Sequence, residues 1–375
     1  MKLLVYSSAS AFGGHELIAL KGLDALLADG HELDLVCSRI NSRFVDALSP
    51  LTTRHGDRLR LHLRDDYMRS LQIVRTWTNV PRMLSLWRLV RALQPDRVLA
   101  LQGDIEQGSE IFLPARLAGV PVVSYVPMVM SGGDRGIRLA RLRDALSRPI
   151  YALAARFVVI APYFRDQALA RGAPEAIVVS NCVDDDFLQA PVRRARVRME
   201  LGVREDERLA GYVGRIAYDQ KGLDRLVELL RGHREHFKSN RLLIVGSGPD
   251  AARLQADLRA QGVEDCVLRR DWMDDRVGLF DAMDVFLCAS RFEGVPLSVL
   301  EALSREVPVV APPLPALAGK LPLDFCDVPF SVDDFAARVR SHPVRRIADG
   351  VRPQPSTSGL ARAEFAASFV RAVIS

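Results

Sequence analysis

Two glutamates with seven residues between them occur in the stretch SRFEGVPLSVLEALSREVPVVA, residues 290–311. Glu293 precedes a Gly-Val-Pro turn, and Glu301 falls within the apolar run that follows. Pro296 suits the first turn of a helix, so the pattern predicts a strand, a loop with Glu293 and a helix with Glu301. Carboxylates beside the free N–H groups of a helix start accept hydrogen bonds from sugar hydroxyls. Two solvated surface charges are the alternative interpretation.

A second chemical pattern lies in GRIAYDQKGLDRLVELL, residues 214–230. Gly214 and Arg215 end an apolar strand, and Lys221 with the glycine after it opens a helix. An arginine fork and a mobile lysine at one strand–helix turn suit a pyrophosphate group. Ordinary solvated basic residues are the competing explanation.

A third stretch, SSASAFGGHE, follows the first apolar run and places Gly13 and Gly14 at the start of a helix. Glycines there let backbone N–H groups approach a phosphate, and the helix dipole favours the anion. The stretch is neither a complete dinucleotide fingerprint nor a P-loop, and a plain strand-to-helix turn is the alternative.

Short apolar runs alternate with helical spacing and predict the elements that position these loops. Examples are KLLVYSS, HELDLVCS and RVLALQG in the first half, and LAGYVGR, RLLIVGSG and DVFLCAS in the second. Such alternation is typical of parallel sheets covered by helices on both faces. A charged stretch poor in strand signal separates the halves near residues 185–205. We therefore predict an α/β protein with two Rossmann-like, doubly wound domains facing across a cleft.

Composition restricts the partners and the location. The chain has 375 residues and a net charge of +5, which suits about two domains and an anionic partner. No nucleic-acid-binding module is recognisable, so nucleic acid is not an expected partner. The five cysteines have no metal or redox spacing, and no apolar run approaches the roughly 20 residues that span a bilayer. We expect a reducing cytoplasm.

Taken together, these stretches resemble glycosyltransferase family 4, the retaining group 1 enzymes of the GT-B fold. The most specific signature is RFEGVPLSVLEALSREVPVVA, and VGR followed by QKG comes next. The order and spacing extend through FGGHELIALKGLDALLADGHELDLVC, LQPDRVLALQ, LAGVPVVSYV, IVVSNCVDDDFL and LLIVGSGPD. We predict an acceptor domain over residues 1–185, a nucleotide-sugar donor domain over 186–355, and a helix over 356–375 that returns to the first domain.

The resemblance implies a donor site for a nucleoside-diphosphate sugar, UDP- or GDP-linked, with no metal and no cofactor. Glu293 would meet the hydroxyls of the donor sugar, and Glu301 those of the ribose. Arg215 and Lys221 would hold the diphosphate and, with Glu293, make up the catalytic set. Gly14 would close over the diphosphate from the other domain. The remaining donor-binding positions are Gly13, Gly214, Gly294, Val295, Leu297 and Ser298.

The implied reaction moves a sugar to a hydroxyl acceptor with retained configuration, by front-face attack assisted by the leaving phosphate. The expected acceptor is a growing surface polysaccharide or a lipid-linked oligosaccharide. Two other functions stay open: a nucleotide-sugar epimerase of the same fold, and a non-catalytic sugar-nucleotide-binding partner of another transferase.

The chain departs from the family pattern on the acceptor side. No histidine follows VPVVSYV, where many members carry one that contacts the donor sugar. The acceptor-side candidates are His15, Asp104 and Glu106, with a solvated loop as the alternative for the two acids. Cys182 replaces the glycine of a turn.

An acidic run, Asp184–Asp186, matches the Asp-x-Asp metal pattern of the other glycosyltransferase fold. Its place between the predicted domains indicates a chance run, so no metal site is predicted.

Two basic stretches have the composition of membrane-surface helices, with tryptophan or leucine among arginines. Their arginines are Arg69, Arg75, Arg82, Arg88 and Arg91 in the first, and Arg135, Arg138, Arg141, Arg143 and Arg148 in the second. Ordinary surface arginines are the alternative. The expected location is the cytoplasm, either free or peripheral on the cytoplasmic face of the inner membrane.

Overall fold

The computed structural model describes residues 1–65, 71–318, 321–354 and 359–375. The chain divides into two compact units. Unit 1 holds Met1–Asn181 and Arg362–Ser375, and unit 2 holds Cys182–Ala361. Each unit is built on a parallel sheet, which confirms the α/β class expected from the alternating apolar runs.

The sheet of unit 1 has seven strands: β1 (Lys2–Tyr6), β2 (Glu32–Ser38), β3 (Leu59–Arg64), β4 (Arg97–Leu101), β5 (Val122–Tyr125), β6 (Arg156–Val159) and β7 (Ala176–Val178). Their order is β3-β2-β1-β4-β5-β6-β7. In β1, Val5 lies beside Leu35 of β2 and Leu99 of β4. Leu3 to Tyr6 are all buried, as expected for a central strand covered on both faces.

Seven helices of unit 1 connect these strands: α1 (Gly14–Ala28), α2 (Ser42–His55), α3 (Gln72–Thr78), α4 (Val80–Leu93), α5 (Phe112–Leu117), α6 (Ala140–Leu153) and α7 (Pro162–Ala170). Short 3-10 turns among the described residues lie at Gly56–Arg58, Ser109–Ile111 and, in unit 2, Glu264–Cys266.

The sheet of unit 2 has six strands: β8 (Leu209–Val213), β9 (Arg241–Val245), β10 (Val267–Arg270), β11 (Val285–Leu287), β12 (Val309–Ala311) and β13 (Asp324–Phe325). Their order is β10-β9-β8-β11-β12-β13. The helices are α8 (Asp185–Gln189), α9 (Arg194–Leu201), α10 (Tyr218–Lys221), α11 (Leu223–Gly232), α12 (Arg234–Ser239), α13 (Ala251–Ala260), α14 (Arg276–Ala282), α15 (Leu297–Ser304) and α16 (Val332–Ser341).

Alternate residues of the strands in unit 2 feed two separate cores. Leu243 and Val245 of β9 belong to a core with residues of α9, α14 and α15. Leu242 and Ile244 belong to a second core with residues of α11, α13 and α16. Because both faces of the sheet are covered, its inner strands β8, β11 and β12 have no charged residues.

The charged stretch between the two halves packs into unit 2 as α8 and α9 instead of remaining a polar junction. Arg194 and Arg198 of α9 are buried, and both pair with Asp284 at the start of β11. Burial of these guanidinium groups is tolerated because carbonyl oxygens of α14 accept further N–H groups from both arginines. Pattern alone did not reveal this burial, since arginine-rich segments are usually solvated.

The last helix, α17 (Arg362–Ile374), belongs to unit 1 and packs against α1. Gly22 permits the close approach, because a Cβ there would lie 2.5 Å from the ring of Phe369. Arg362 Nη2 donates to Asp24 Oδ2 at 2.7 Å. Of the polar segment that precedes this helix, residues 355–358 lie outside the described residues.

Each sheet reverses its strand order at one point, between β1 and β4 in unit 1 and between β8 and β11 in unit 2. Ligands of open α/β sheets bind at the carboxyl ends of the strands that flank such a switch point. The topology therefore points to the loops after these four strands.

Candidate functional site

The predicted donor residues lie on the loops and helices that follow β8 and β11. Gly214 and Arg215 follow β8, Lys221 ends α10 after the same loop, and Glu293 lies in the loop after β11. Parallel strands direct their following loops to one edge of the sheet, so these groups meet at the switch point of unit 2.

The loop after β8 is packed against the loop after β9. Ile216 N donates to Ser247 O at 2.9 Å. Glycines permit this approach, since a Cβ on Gly246 would lie 1.9 Å from Gly214 O, and one on Gly248 would lie 2.3 Å from Ile216 O. The sequence analysis did not assign these two glycines a role, although GSG directly after LLIV was a usable signal.

Lys221 is positioned by the glycine that follows it. Gly222 has a φ of +65°, and a Cβ at this residue would lie 2.2 Å from Ala289 O. Arg225 Nη1 donates to the same carbonyl at 3.0 Å. The turn between α10 and α11 is therefore pressed against the loop after β11, which sets Lys221 beside that loop.

Glu293 forms a buried ion pair with Lys221. Its Oε1 accepts hydrogen bonds from Lys221 Nζ and from Ser290 Oγ, the latter at 2.9 Å. The glutamate is 9% exposed, so it is not the freely solvated charge of the alternative interpretation. Two donors on one oxygen hold the carboxylate in a fixed orientation.

Arg291 holds the same loop from its other side and was missed by the sequence analysis, although it stands within the SRFEG signature. Its backbone N donates to Gln220 O at 2.8 Å, and its Nη1 donates to Tyr218 O at 2.9 Å. It also pairs with Asp224 on α11. Arg215 is exposed, and its Nη2 donates to Gln220 Oε1 at 2.8 Å.

Glu301 lies in the second turn of α15, is buried, and pairs with a different cation. Arg276, the first residue of α14, donates from Nη2 to Glu301 Oε1. Its Nη1 lies 3.8 Å from Asp184 Oδ2, so the acidic run meets the site through this arginine. No local sequence signal distinguished Arg276 from the other arginines, because the contact joins residues that are far apart in the chain.

The start of α15 supplies backbone donors beside these carboxylates. The first turn follows Pro296, and Val299 N donates back to Pro296 O at 3.1 Å. The N–H groups of Leu297 and Ser298 precede the first intrahelical bonds of the helix. These two residues, with Gly294 and Val295, are partly exposed at the helix start.

Two nucleophile types beside Glu293 are held in their neutral forms. Burial, followed by the charge of Glu293, raises the pKa of Cys288 to about 11. The same two causes raise the pKa of Tyr212. A thiol and a phenol with raised pKa values are protonated at neutral pH, so neither is an activated nucleophile.

In unit 1, the loop after β1 leads into α1 at Gly13 and Gly14, both exposed. Glu16 Oε2 accepts from Gly13 N at 2.8 Å and lies 2.9 Å from His15 Nδ1. The first turn of α1 is thus ordered by its own glutamate, and His15 is oriented by the same carboxylate.

Asp104 and Glu106 follow β4 and are both buried, which differs from the solvated loop considered as the alternative. Arg135 Nη2 donates to Asp104 Oδ2 at 2.8 Å, and Arg143 Nε donates to Glu106 Oε1 at 2.6 Å. Asp104 Oδ1 also accepts the backbone N–H groups of residues 106 and 107. These carboxylates are held as ion pairs that order the loop.

A third buried acid under this loop was missed by the sequence analysis. Tyr6 OH donates to Glu110 Oε1 at 2.7 Å and accepts from Arg82 Nη2 at 2.6 Å. Burial raises the pKa of Glu110 against the lowering effect of Tyr6 and Arg82. Burial and the nearby carboxylate raise the pKa of Tyr6. The cluster joins the end of β1 to the segment after β4.

Three of the arginines in the two basic stretches therefore face inward, namely Arg82, Arg135 and Arg143. The exposed ones are Arg75, Arg88, Arg91, Arg138, Arg141 and Arg148. Arg69 lies outside the described residues.

The described ranges contain neither a metal-binding cluster nor a helix that could span a membrane. In residues 1–65, 71–318, 321–354 and 359–375, no group of three or more His, Cys, Asp or Glu side chains is arranged to hold a metal ion. Within the same ranges no helix has both the length and the apolar character needed to cross a bilayer.

Two family patterns match the chain in the order of its two units. The family described as Glycosyl transferase 4-like domain matches residues 13–182, and the one described as Glycosyl transferases group 1 matches residues 207–340. The chain belongs to the group 1 glycosyltransferases. The second match contains the whole constellation around Lys221, Glu293 and Glu301, and the recognition made from the sequence motifs is confirmed.

Curated relatives of this glycosyltransferase chain are similar over part of their length. A GDP-mannose-dependent alpha-mannosyltransferase of Mycobacterium tuberculosis is 29% identical over 241 residues, which are 63% of this chain and 61% of the relative. The O-antigen biosynthesis glycosyltransferase WclY of Escherichia coli is 27% identical over 144 residues, 38% of each chain. The chain thus spans less than two thirds of the length of these relatives.

Among solved structures, Anabaena HepE in complex with UDP aligns with a TM-score of 0.70 at 15% identity. The alignment covers 100% of this chain and 94% of HepE. This likeness confirms the GT-B fold class predicted for the chain.

Proposed function

We propose that this group 1 glycosyltransferase moves a sugar from a nucleoside-diphosphate sugar to a hydroxyl acceptor, with retention of anomeric configuration. The observation that carries the proposal is the Lys221–Glu293 ion pair at the switch point of unit 2. A cation for a diphosphate and a carboxylate for sugar hydroxyls are thereby brought into contact beside the start of α15.

In the proposed donor complex, Arg215 and Lys221 bind the diphosphate, Glu293 the sugar hydroxyls and Glu301 the ribose hydroxyls. Backbone groups of Gly214, Gly294, Val295, Leu297 and Ser298 bind the same ligand in this proposal, and Gly13 and Gly14 are kept as further proposed donor-binding positions. Lys221 must then divide its hydrogen bonds between Glu293 and a phosphate oxygen, which an ammonium with three donors can do.

The charges match the chemistry of the leaving group. Breaking the bond between the anomeric carbon and the phosphate oxygen builds negative charge on the diphosphate. In this proposal Arg215, Lys221 and the N–H groups at the start of α15 stabilise that charge, and no metal ion is required. The acceptor oxygen forms the new bond on the same face, and its proton passes to the leaving phosphate.

For the nucleotide base of the donor and for the acceptor, we propose chemical classes and not single compounds. HepE was solved with UDP, and the mycobacterial relative is named as GDP-mannose-dependent, so both bases are kept as candidates. WclY is named for O-antigen biosynthesis, which supports a surface polysaccharide or a lipid-linked saccharide as the acceptor class. The acceptor-side assignment of His15, Asp104 and Glu106 belongs to this proposal.

Association with an anionic membrane is proposed on the basis of α6. Leu139, just before the helix, and Leu142 are 59% and 50% exposed, and they alternate with the exposed Arg138 and Arg141. Exposed leucines and arginines together favour an anionic bilayer surface. Co-sedimentation with vesicles containing anionic lipid, but not with neutral vesicles, is expected, and Leu142→Asp should abolish it. Equal binding of both proteins would contradict this proposal.

The central experiment is binding of UDP, GDP and their sugars by calorimetry without added metal. Wild type is compared with Lys221→Gln, Glu293→Gln and the double variant, which leaves no unpaired buried charge. Loss of one charge-assisted phosphate contact weakens binding by about ten- to a hundredfold. The matched control is Lys238→Ala, an exposed lysine on α12.

Binding of one nucleotide, weakened by Lys221→Gln and unchanged by Lys238→Ala, supports the donor assignment. Product analysis with the bound donor then separates the functions. Transfer to a glycoside acceptor supports the transferase, and an epimerised donor without acceptor would identify the epimerase. No binding by wild type would remove the proposed function and leave the fold.

A further inference from the structure

The switch point of unit 1 is built from the loops after β1 and β4, which are tied together. Gly108 N donates to Ser8 Oγ at 2.9 Å, across the two loops. The loop after β4 is wound around the side chain of Gln102, whose Nε2 donates to the carbonyl oxygens of Ile105 and Gln107. The backbone at this end of the sheet is therefore fixed by side chains of its own loops.

Gln107 is held at three of its four polar groups. Its backbone N donates to Asp104 Oδ1 at 3.1 Å, and its carbonyl oxygen accepts from Gln102 Nε2 at 2.6 Å. Its Oε1 accepts from Gly103 N at 2.9 Å. That backbone donor identifies the oxygen of the side-chain amide, so Nε2 is the donor end.

The fourth polar group of Gln107 has no partner. The residue is 7% exposed, and Nε2 is buried without a hydrogen-bond partner among the described residues. An unpaired buried donor costs on the order of 1 to 3 kcal/mol, so a rigid loop that presents one is matched to a ligand group.

His15, in the first turn of α1, has an unpaired hydrogen-bond acceptor, which complements the unpaired donor of Gln107. Its Nδ1 lies 2.9 Å from Glu16 Oε2, and a carboxylate acceptor places the proton of a neutral imidazole on Nδ1. Its Nε2 then carries a lone pair, and this atom too is buried without a partner in the part of the chain that the structure describes.

The two side chains flank one point, the α-carbon of Gly103. A Cβ on Gly103 would lie 2.7 Å from Gln107 Oε1 and 3.4 Å from His15 Cε1. The glycine thus keeps open the space between the glutamine amide and the imidazole. Each of the two side chains that border this space carries one unpaired nitrogen, and His15 belongs to the first turn of a 15-residue helix.

We infer that Gln107 and His15 bind a hydroxyl group of a saccharide. A hydroxyl accepts one hydrogen bond and donates another, which satisfies Gln107 Nε2 and His15 Nε2 together. An ionised phosphate oxygen only accepts, and leaves the lone pair of a neutral His15 unpaired. The saccharide assignment rests on the proposed function, whereas the need for a ligand with both roles rests on the geometry of unit 1 alone.

Such a hydroxyl has two sources in a glycosyl transfer, the acceptor and the donor sugar. Both present the same chemistry to the pair, so binding of each must be measured separately. Full-length wild type and Gln107→Leu are compared for UDP, UDP-glucose, GDP and GDP-mannose. A loss of about tenfold for the nucleotide sugar alone assigns the donor sugar. Unchanged affinity for all four assigns the acceptor.

The direct test follows the side-chain amide signal of Gln107 by NMR in the full-length protein labelled with ¹⁵N-glutamine. The probes are the methyl α-glycosides of glucose, galactose and mannose, and inorganic phosphate as the rival. We expect a saturable shift with at least one glycoside and none with phosphate. Gln255, half-buried and paired with Glu264 on unit 2, is the internal control. A second variant, Gly103→Ala, fills the space and should abolish the shift without removing either side chain.

A shift with phosphate only, or with none of the probes, would overturn the inference. If the glycoside shift appears but no nucleotide binds to wild type, the donor function fails and the saccharide site stands. If a nucleotide binds and Gln107 responds to nothing, the donor function stands and the site is withdrawn.

Discussion

Arg276 at the start of α14 donates a hydrogen bond to Glu301 in α15, and these two residues are 25 positions apart, far more than the three or four of a helical pattern. The same guanidinium lies 3.8 Å from Asp184 at the start of α8. One cation therefore connects three helices of unit 2 at the carboxylate assigned to the ribose. We interpret Arg276 as the residue that positions Glu301.

Replacement Arg276→Gln is expected to weaken nucleoside-diphosphate binding by about five- to tenfold. The preference for ribose over 2′-deoxyribose should fall with it, because an unpaired carboxylate is no longer held toward the hydroxyls. Calorimetry with the bound nucleotide and its 2′-deoxy form measures both effects. Glu301→Gln should show the same loss of preference.

Arg259→Gln, at an exposed arginine of α13, is the matched control and should change neither value. An Arg276→Gln protein that keeps the full ribose preference would show that the ion pair has only a structural role.

The turn at Gly222 should tolerate no side chain. Gly222→Ala adds a Cβ 2.2 Å from Ala289 O at a φ of +65°. We expect unit 2 to lose about 2 to 4 kcal/mol of unfolding free energy and Lys221 to be displaced from Glu293. Native-state hydrogen exchange of the unit 2 amides measures the loss.

Gly232→Ala is the control for this substitution, since nothing lies within 4 Å of its added Cβ at the end of α11. A helical glycine replaced by alanine should gain about 0.5 to 1 kcal/mol. Equal behaviour of the two variants would refute the steric argument.

The Arg305–Asp281 pair should contribute to stability and not to binding. Both side chains are fully buried, and two hydrogen bonds of 2.8 and 3.0 Å join them. Arg305→Met leaves the carboxylate unpaired and is expected to cost about 3 to 5 kcal/mol in urea unfolding. Nucleotide affinity of the folded protein should be unchanged, because Asp281 and Arg305 precede β11 and β12 and lie away from the carboxyl ends of those strands.

Lys238→Ala breaks an exposed pair with Glu235 and should cost less than about 1 kcal/mol. A comparable loss in both variants would mean that burial of the Arg305 pair is not the cause.

Acid should loosen the contact between α17 and α1 through Asp24. Burial alone raises the pKa of Asp24, but the hydrogen bond from His55 and the charges of Arg54 and Arg362 outweigh it and lower the pKa below 3.8. A lowered carboxyl pKa stabilises the folded state at pH values above 3.8, and this stabilisation is lost as the pH falls through the pKa of the folded state. Asp24→Asn should cost about 1 to 2 kcal/mol at neutral pH and flatten the acid-side dependence.

Hydrogen exchange of the α17 amides between pH 7 and 3 measures this effect. Asp166→Asn, at an exposed residue paired with its neighbour Arg165, serves as the control. If Asp24→Asn remains as acid-sensitive as wild type, another group dominates the acid response.

The sequence by itself determined the fold class and which residues stand at the ends of strands. Apolar runs of strand length, alternating with helices, require parallel sheets because both faces must be covered. Once the strands are located, the sequence positions of Arg215, Lys221 and Glu293 place these residues in the segments after the strands. The order of the motifs was also enough to recognise the family, because motifs are recognised along the sequence without knowing which distant residues are in contact.

Only the tertiary structure decided which charges pair. The pairs that matter join residues on different elements: Lys221 with Glu293, Arg276 with Glu301, and Arg143 with Glu106. A periodic sequence pattern indicates which face of an element is buried, but it does not identify the residue that packs against that face. For the same reason a solvated loop stayed open as the alternative for Asp104 and Glu106, which are buried, and Gln107 had no signal at all. Its nitrogen is unpaired because the loop folds back on itself, which places three polar groups of Gln107 in hydrogen bonds and leaves the fourth without a partner among the described residues.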